Sequence, residues 1–308
     1  MIKKPLCILI IILIVAFPLG CAACVNEGGG EGLLIVAIAY APYDFAKEVT
    51  AGTGAEVKML LKPGTESHTF EPTPQDIIAL EKCGLLIYTG GESDSWAQKI
   101  LSGLSNKSLK TVVISEIEGI CEEHGEEGHE GHSHEDPHYW TSLKNSRLIV
   151  SAIAQSLEEI DPENAPAYRE NASAYNQKLL ELDERFEELI AGAPRDTIIV
   201  ADRFPLKHFV EDYGLKYYSA FDGCAAESEV PAATVALLSD KVRELNVPVV
   251  FIIELSNGNI AKTITQGTNA KIKTFYTCHN VAAADFERGL SYYDMMSENY
   301  RSLGEALI

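Results

Sequence analysis

Short hydrophobic runs alternate with helical patterns in the part of the chain that follows residue 32. Runs rich in β-branched and apolar residues predict strands at residues 33–40, 56–61, 85–88 and 111–114. Between them, the apolar residues of segments such as 74–83 and 95–101 have the spacing of helices. Strands and helices that alternate at these distances indicate βαβ units, so this part of the chain is predicted to form a parallel sheet.

The pattern changes in the middle of the chain. Between residues 144 and 190 there is no strand-like run, and two long helical patterns flank Asp161 and Pro162. The second pattern carries an apolar stripe with spacings of four and three residues, formed by Tyr175, Leu179, Leu182, Phe186 and Leu189. Gly192 and Pro194 are expected to end this helix.

A second set of strand-like runs follows, at residues 197–201, 216–221, 247–254 and 271–277. Helical patterns at residues 232–245 and 260–266 separate them, and a last helix is predicted over residues 292–307. We therefore predict an α/β protein with two similar lobes, each a mainly parallel four-stranded sheet with flanking helices.

The predicted boundaries are 33–160 for the N-terminal lobe, 161–194 for one long connecting helix and 195–308 for the C-terminal lobe. Ligands of parallel sheets bind at the carboxyl ends of the strands, and pockets are common between domains. The cleft between the two lobes is therefore the expected place of a binding site, against the alternative of two lobes with no shared site.

The N-terminus has the pattern of an export signal. Two lysines precede an apolar run at residues 6–17, and a small residue comes before Cys21. The run is shorter than the roughly 20 residues of a membrane-spanning helix. We interpret residues 1–20 as a signal peptide, Cys21 as a lipidated first residue with Cys24 as the other candidate, and residues 21–32 as a tether. An uncleaved anchor is the alternative, and either one places the folded part outside the cytoplasm, at the outer face of the cytoplasmic membrane.

Composition narrows the class of ligand. The chain has 25 Lys and Arg residues against 45 Asp and Glu residues, which gives a formal net charge of -20. Binding to nucleic acid depends on the neutralisation of phosphates by basic residues, so the charge argues against a nucleic-acid partner. A strongly negative protein attracts cations instead.

Four cysteines remain for the folded part, namely Cys83, Cys121, Cys224 and Cys278. They are too few for a disulfide scaffold of this size, and none forms a Cys-x-x-Cys pair within the folded part. One bridge is allowed outside the cell, and Cys224 with Cys278 is the expected pair.

Histidine is concentrated in one segment. Residues 121–138 contain five of the eight histidines, together with several glycines and acidic residues but no apolar periodicity, which is typical of a loop. Imidazoles mixed with carboxylates are good ligands for divalent ions. The loop histidines are therefore candidate auxiliary metal ligands, against the alternative of a solvated acidic loop: His124, His129, His132 and His134.

Residues 134–138 also spell the His-Glu-x-x-His motif of zinc proteases. That motif needs a helix, and Pro137 after a glycine-rich loop is incompatible with a helix interior. The sequence therefore argues against a protease of this type.

Two histidines stand in longer motifs. His68 belongs to a Gly-x-x-x-His-x-Phe-Glu-Pro-Thr-Pro-x-Asp motif that starts at Gly64, and His138 belongs to an Asp-Pro-His-x-Trp motif that starts at Asp136. With the His-rich loop between them, the chain resembles the zinc- and manganese-binding solute receptors of ABC importers. The resemblance extends from about residue 33 to the C-terminal helix.

The resemblance implies two α/β lobes with one metal ion held at their interface. His68 and His138 match the first two ligands of the family. A His-rich loop before the second ligand is usual in the zinc importers, so Zn(II) is the expected transported ligand, in preference to Mn(II). A closed site of three or four N and O ligands leaves no open position for catalysis, so the chain is expected to be a binding protein and not an enzyme.

The second lobe departs from the family pattern at the third ligand. The family histidine falls on Arg203, which cannot coordinate a cation. His208 is one candidate replacement, with a surface position as the alternative. Glu254, at the end of a predicted strand, is another candidate, and an ion pair with Arg203 is its alternative.

The last ligand of the family is a carboxylate just after the final strand, where this chain has Cys278, His279 and Asn280. His279 is the expected ligand, against the alternative of a loop histidine bonded to backbone. Cys278 is a further candidate ligand unless it forms the bridge to Cys224.

We therefore predict an exported, lipid-anchored, monomeric receptor that passes Zn(II) to an ABC permease and its ATPase. Its metal site is expected to consist of His68, His138, His279 and Glu254. The alternatives are an extracellular zinc buffer, an adhesion protein of similar fold, and a zinc hydrolase, which would need an open coordination position and a nearby base.

Overall fold

A computed structural model describes residues 32–65, 70–91, 94–120, 136–221, 223 and 229–308 of the protein. The predicted signal peptide and the tether with Cys21 lie outside the described residues, apart from Gly32. In the described ranges no helix has the length and apolarity that crossing a bilayer requires. The chain from Gly32 onwards packs as one compact unit, and the predicted lobe boundaries stay a prediction.

The first sheet has four parallel strands in the order β2-β1-β3-β4. The strands are β1 (Leu34–Ala37), β2 (Glu56–Met59), β3 (Leu85–Tyr88) and β4 (Lys110–Val113). The helices of this half are α1 (Tyr40–Val49), α2 (Pro74–Lys82) and α3 (Ser95–Gly103). All four residues of β3 are buried, as expected for an inner strand that is covered on both faces.

The second sheet repeats the arrangement with the order β6-β5-β7-β8, again parallel. Its strands are β5 (Thr197–Val200), β6 (Lys216–Ser219), β7 (Val249–Ile253) and β8 (Lys271–Phe275). The helices are α6 (Lys207–Tyr213), α7 (Ala232–Glu244), α8 (Asn259–Ile264), α9 (Ala283–Glu287) and α10 (Tyr292–Leu307). The prediction of an α/β protein with two parallel four-stranded sheets is confirmed.

Two helices connect the sheets, α4 (Leu143–Ile160) and the 28-residue α5 (Ala165–Gly192). They pack against each other along their length. Of the predicted stripe on α5, Tyr175, Leu179, Leu182 and Phe186 are buried, and Leu189 is partly buried. The apolar spacing therefore identified the face of α5 that packs into the core.

Part of the motif around His68 has a local structural reason. Thr73 is the N-cap of α2, and its hydroxyl accepts a hydrogen bond from the Asp76 N–H while the Asp76 carboxylate accepts one from the Thr73 N–H. Pro74 occupies the first turn, where a missing N–H costs nothing. This capping box explains three residues of the motif without any metal.

One core is shared by the two halves. A single cluster of buried residues includes side chains from both sheets, from α4 and α5, and from α1 and α10. Asp44 of α1 lies inside this region with 3% of its surface exposed, and its carboxylate accepts a hydrogen bond of 2.8 Å from the N–H of Tyr292, the first residue of α10. A carboxylate therefore links the first half to the last helix.

Burial raises the pKa of Asp44 to about 6, although the N–H of Tyr292 and the charge of Lys47 oppose the shift. Because this pKa exceeds the usual value of 3.8, the native state binds a proton more tightly than the unfolded state does. The contribution of Asp44 to the free energy of unfolding is therefore greatest below about pH 4 and declines as the pH rises through about 6.

We expect Asp44→Asn to raise the free energy of unfolding at pH 7.5 by about 1–3 kcal/mol, because the amide oxygen still accepts from Tyr292 without a buried charge. Near pH 4 the variant and the parent should have the same stability. Urea unfolding at both pH values measures this. Glu48→Gln, one turn further along α1 and only partly buried, is the matched control. A uniform shift at both pH values would contradict the prediction.

Candidate metal-binding site

Two histidines from distant parts of the chain face each other. His138 immediately precedes a short helical turn at Tyr139–Thr141, and His279 follows β8. The Nε2 atom of His138 lies 2.7 Å from the Nδ1 atom of His279. The His138 side chain is buried, and His279 is half-buried. The fold thus brings together two of the predicted ligands.

Asp136 fixes the ring of His138. Its Oδ1 atom accepts a hydrogen bond of 3.0 Å from the backbone N–H of His138 and lies 2.6 Å from the ring Nδ1 of the same residue. A carboxylate with these contacts accepts the Nδ1 proton, which leaves Nε2 as the atom directed at His279. A carboxylate that orients the far nitrogen of a histidine is the usual partner of a metal-binding imidazole.

The charge of Asp136 is secured by its surroundings. Burial alone would raise the pKa of this carboxyl group, but the attraction of His138 and the hydrogen bonds from His138 outweigh burial and lower the pKa to about 2. Asp136 therefore carries a negative charge throughout the pH range in which imidazoles titrate.

Backbone hydrogen bonds from α1 hold the segment that carries His279. The N–H of Tyr40 donates to the carbonyl oxygen of His279 at 3.0 Å, and the N–H of Ala41 donates to the carbonyl oxygen of Cys278 at 3.1 Å. These bonds use the carbonyl oxygens of both residues and leave the ring of His279 facing His138.

Glu254 follows the last residue of β7 and is 8% exposed. Its two carboxylate oxygens accept hydrogen bonds from the N–H of Thr277, at 2.8 Å, and from the Thr277 hydroxyl. Burial raises the pKa of Glu254, and the bonds from Thr277 oppose this effect. The carboxylate thereby braces the segment that carries His279, and His138 is close enough to act on its charge.

Two non-glycine residues next to these side chains have left-handed backbone. Leu255 has a φ angle of 66° and directly follows Glu254, and Cys278 has a φ angle of 57° and directly precedes His279. Such a conformation costs about 1–3 kcal/mol and persists only where the surroundings impose it. Two of the three described non-glycine residues with positive φ therefore lie at the strand ends that lead to the site, and the third, Asn246, precedes β7.

The structure does not favour Cys278 as a ligand. Its side chain is fully buried, and its sulfur donates to the thioether of Met295 at 3.7 Å. Burial raises the pKa of this thiol well above its usual value, and metal coordination requires the thiolate. Cys278 carries a free thiol in the structure. Its predicted partner Cys224 lies outside the described residues, so the bridge between them stays a prediction.

His208, the other candidate ligand, lies on α6 and is half-buried. Its Nε2 atom is 2.8 Å from the backbone oxygen of Asp136, and its ring stacks on Tyr139. The contact made by Nε2 is therefore with the turn that carries His138. Arg203 lies between β5 and α6, and its backbone N–H donates to the Asp202 carboxylate.

An aromatic wall closes one side of the pair. The Trp140 side chain is fully buried, and its ring meets those of His138 and His279 edge to face at 5.7 and 5.5 Å. Its indole N–H donates to the backbone oxygen of Thr277 at 2.9 Å. Sequence reasoning assigned no role to Trp140, Asp136 or Thr277, although the Asp-Pro-His-x-Trp motif contained the first two.

The remaining candidates lie outside the described residues: His68, the loop histidines His124, His129, His132 and His134, and Cys21. The described chain that leads toward His68 contacts the segment after His279. The side-chain amide of Asn280 donates to the backbone oxygens of Lys62 and Thr65 at 3.0 and 2.6 Å, and the N–H of Gly64 donates to the oxygen of Val281.

Within the residues that the structure describes, no group of three or more His, Cys, Asp or Glu side chains is arranged to hold a metal ion. The described part of the candidate site is therefore a histidine pair with an ionised orienting carboxylate, a buried glutamate nearby and a tryptophan wall. Neutral imidazoles of this kind suit borderline divalent ions such as zinc.

Comparisons with known proteins give a consistent result. The model of a family described as zinc-uptake complex component A, periplasmic, matches residues 35–306. The zinc-binding lipoprotein AdcA of Streptococcus pneumoniae is 29% identical over 289 residues, which are 91% of this chain and 57% of that protein. The high-affinity zinc uptake system protein ZnuA of Bacillus subtilis is 28% identical over 303 residues, 93% of each chain.

Solved structures show the same fold. The metal-dependent lipoprotein YcdH of Bacillus subtilis has a TM-score of 0.77 at 25% identity, with 90% of this chain and 100% of that chain covered. The Zn(II)-bound ZnuA-like domain of AdcA from Streptococcus pneumoniae has a TM-score of 0.74 at 25% identity, with 90% and 99% covered. The chain thus spans little more than half of full-length AdcA but nearly all of its ZnuA-like domain.

Proposed function

The chain belongs to the family of periplasmic component A proteins of zinc-uptake complexes, and from this membership we propose that it is an extracytoplasmic receptor that binds Zn(II) and delivers it to an ABC-type importer. Its partners are then a permease and an ATPase. The family is one of receptors, so the proposed activity is reversible binding without turnover. The proposal includes a lipid anchor at Cys21 and a monomeric protein.

The observation that carries the proposal is the distance of 2.7 Å between His138 Nε2 and His279 Nδ1. Zn–N distances of about 2.0–2.1 Å in a tetrahedral site separate two nitrogen ligands by about 3.3 Å. The pair needs to open by only about 0.6 Å to admit the ion. His279 must also release the Nδ1 proton that it donates to His138 Nε2, either to its own Nε2 or to solvent, before both facing nitrogens can bind zinc. Because Asp136 holds the proton on Nδ1 of His138, a neutral ring already offers the Nε2 lone pair.

The proposed ligand set is His68, His138, His279 and Glu254. Glu254 is included because a carboxylate oxygen that accepts one hydrogen bond from Thr277 retains a lone pair for the metal. Zinc binding would also stabilise its ionised form, which burial disfavours in the metal-free protein. The loop histidines His124, His129, His132 and His134 are proposed to be a weaker, auxiliary binding segment.

A chelator competition titration of the metal-stripped full chain tests this function. We expect one tight Zn(II) per chain, and we expect it to remain when residues 122–135 are deleted, because the tight site uses none of them. His68→Ala should weaken binding strongly, since it removes a ligand. If tight binding disappears with the loop and survives His68→Ala, the assignment to the site of His138 and His279 is wrong and an extracellular zinc buffer is the better description.

A further inference from the structure

Helix α6 of the second half contacts the turn that carries His138 through hydrogen bonds and a ring stack. The Nε2 atom of His208 lies 2.8 Å from the backbone oxygen of Asp136. A carbonyl oxygen can only accept, so Nε2 of His208 carries the proton and donates it. The ring of Tyr139 stacks on His208 with a centroid distance of 4.9 Å and an interplanar angle of 29°, which fixes the plane of the imidazole.

Two further contacts join the same elements. The backbone N–H of Lys207 donates to Oδ2 of Asp136 at 3.3 Å, while Oδ1 of Asp136 takes both bonds from His138. At the other end of the turn, the Ser142 hydroxyl donates to the Asp212 carboxylate. The segment from residue 136 to residue 142 is therefore held by α6 at its beginning and at its end.

We propose that His208 is a positioning residue for zinc binding, which fixes Asp136 from the second half of the protein and through it the ring of His138. The inference rests on the proposed zinc-binding function. His208 touches the main chain of Asp136, Asp136 touches the ring of His138, and the ring offers Nε2 to the metal. If the backbone of Asp136 shifts, its carboxylate no longer meets Nδ1 of His138 in the same geometry.

This assignment gives the departure at Arg203 a physical meaning. The resemblance places a metal-binding histidine at that position, and arginine cannot replace it. In this chain the same connection between β5 and α6 leads to His208. This residue donates a hydrogen bond to Asp136, which in turn orients the ligand His138. This part of the second half thus orients the ligand His138 and does not itself bind the metal.

The test compares His208→Ala and His208→Gln in the metal-stripped full chain. Glutamine retains an N–H donor near the position of Nε2, and alanine does not. Loss of a group that orients a metal ligand lowers metal affinity by about 10- to 100-fold, and we expect about tenfold for His208→Ala because it acts through Asp136. His208→Gln should recover most of the affinity. Glu211→Gln is the matched control, since it changes an exposed side chain of the same helix that pairs with the Lys207 side chain.

A double-mutant cycle shows whether His208 acts through Asp136. In an Asp136→Ala background the acceptor of the His138 Nδ1 hydrogen bond is already lost, so His208→Ala should lower zinc affinity little further. A purely structural effect of His208 would instead be additive with Asp136→Ala and would not be recovered by glutamine. Urea unfolding of each metal-free variant measures any common loss of stability.

The Co(II)-loaded protein separates positioning from coordination. The visible d–d spectrum at saturation reports the number and geometry of ligands, and we expect it to be the same for the parent, His208→Ala and His208→Gln. A changed spectrum in both variants would mean that His208 is a ligand, and unchanged zinc affinity in His208→Ala would mean that it has no role; either result overturns the inference. If the parent itself binds no zinc tightly, the proposed function fails before the role of His208 is tested.

Discussion

Replacing His138 with alanine is expected to lower zinc affinity by about two to three orders of magnitude. The free energy of zinc binding to a four-ligand site is about 10–16 kcal/mol, which is about 2.5–4 kcal/mol for each ligand. The substitution also removes the ring contact of His138 with the Asp136 carboxylate, so that of the two contacts between these residues only the backbone hydrogen bond remains. His279→Ala should have an effect of the same order.

Chelator competition with Zn(II) measures this effect, and His124→Ala is the matched control because it removes a histidine of the auxiliary loop. We expect the control to change tight binding by less than about twofold to threefold, since a weak auxiliary ligand contributes little beside the main site. Comparable losses in His138→Ala and His124→Ala would contradict the proposed division between a tight site and an auxiliary loop.

The second large effect concerns Trp140. We expect Trp140→Ala to lower the free energy of unfolding by about 3–5 kcal/mol, the usual cost of truncating a fully buried aromatic side chain. The substitution also removes the hydrogen bond to the Thr277 carbonyl oxygen and the edge contacts with His138 and His279. Zinc affinity should fall as well, because both histidine rings lose the side chain against which they pack.

Urea unfolding of the metal-free protein tests this expectation, with the other tryptophan as the control. Trp96 is only partly buried and contacts Phe70 in a separate cluster of the first half. Trp96→Ala should lower the free energy of unfolding by about 1–2 kcal/mol, because Trp96 buries less apolar surface than Trp140 does. It should leave zinc affinity unchanged. Equal losses of stability and affinity in the two variants would show that Trp140 has no special relation to the site.

Two of the candidate ligands named from the sequence make other contacts in the structure. His208 and Cys278 are residue types that bind metals, and both lie within a few residues of positions that the resemblance marks as ligands. Their side chains nevertheless contact the Asp136 carbonyl oxygen and the Met295 thioether. Neither contact could be predicted, because each depends on an element that is more than fifteen residues away along the chain.

The backbone conformation at the site could not be predicted from the sequence either. Leu255 and Cys278 have positive φ angles. In a sequence, only glycine, and to a lesser degree asparagine, predicts such an angle. For Cys278, the bond from the Ala41 N–H and the burial of the thiol hold the strained backbone in place. Both features arise when α1 and α10 pack against the end of β8.

The amino-acid sequence by itself determined the local features of this protein. Short runs of β-branched, aromatic and other apolar residues specified the eight strands. The spacing of Tyr175, Leu179, Leu182 and Phe186 specified the inner face of α5, and the Thr73–Asp76 box specified where α2 begins. Propensity, periodicity and capping act over a few residues, so they can be recognised in any short segment.

Only the tertiary structure decided which of the candidate residues meet. His138 and His279 are 141 residues apart and approach to 2.7 Å, Glu254 is held by Thr277, and His208 reaches Asp136 across 72 residues. These contacts depend on the order of strands in two sheets and on the packing of α1, α6 and α10 around their ends. A one-dimensional pattern does not contain those distances, because side chains far apart in sequence are brought together only by the burial of the whole core.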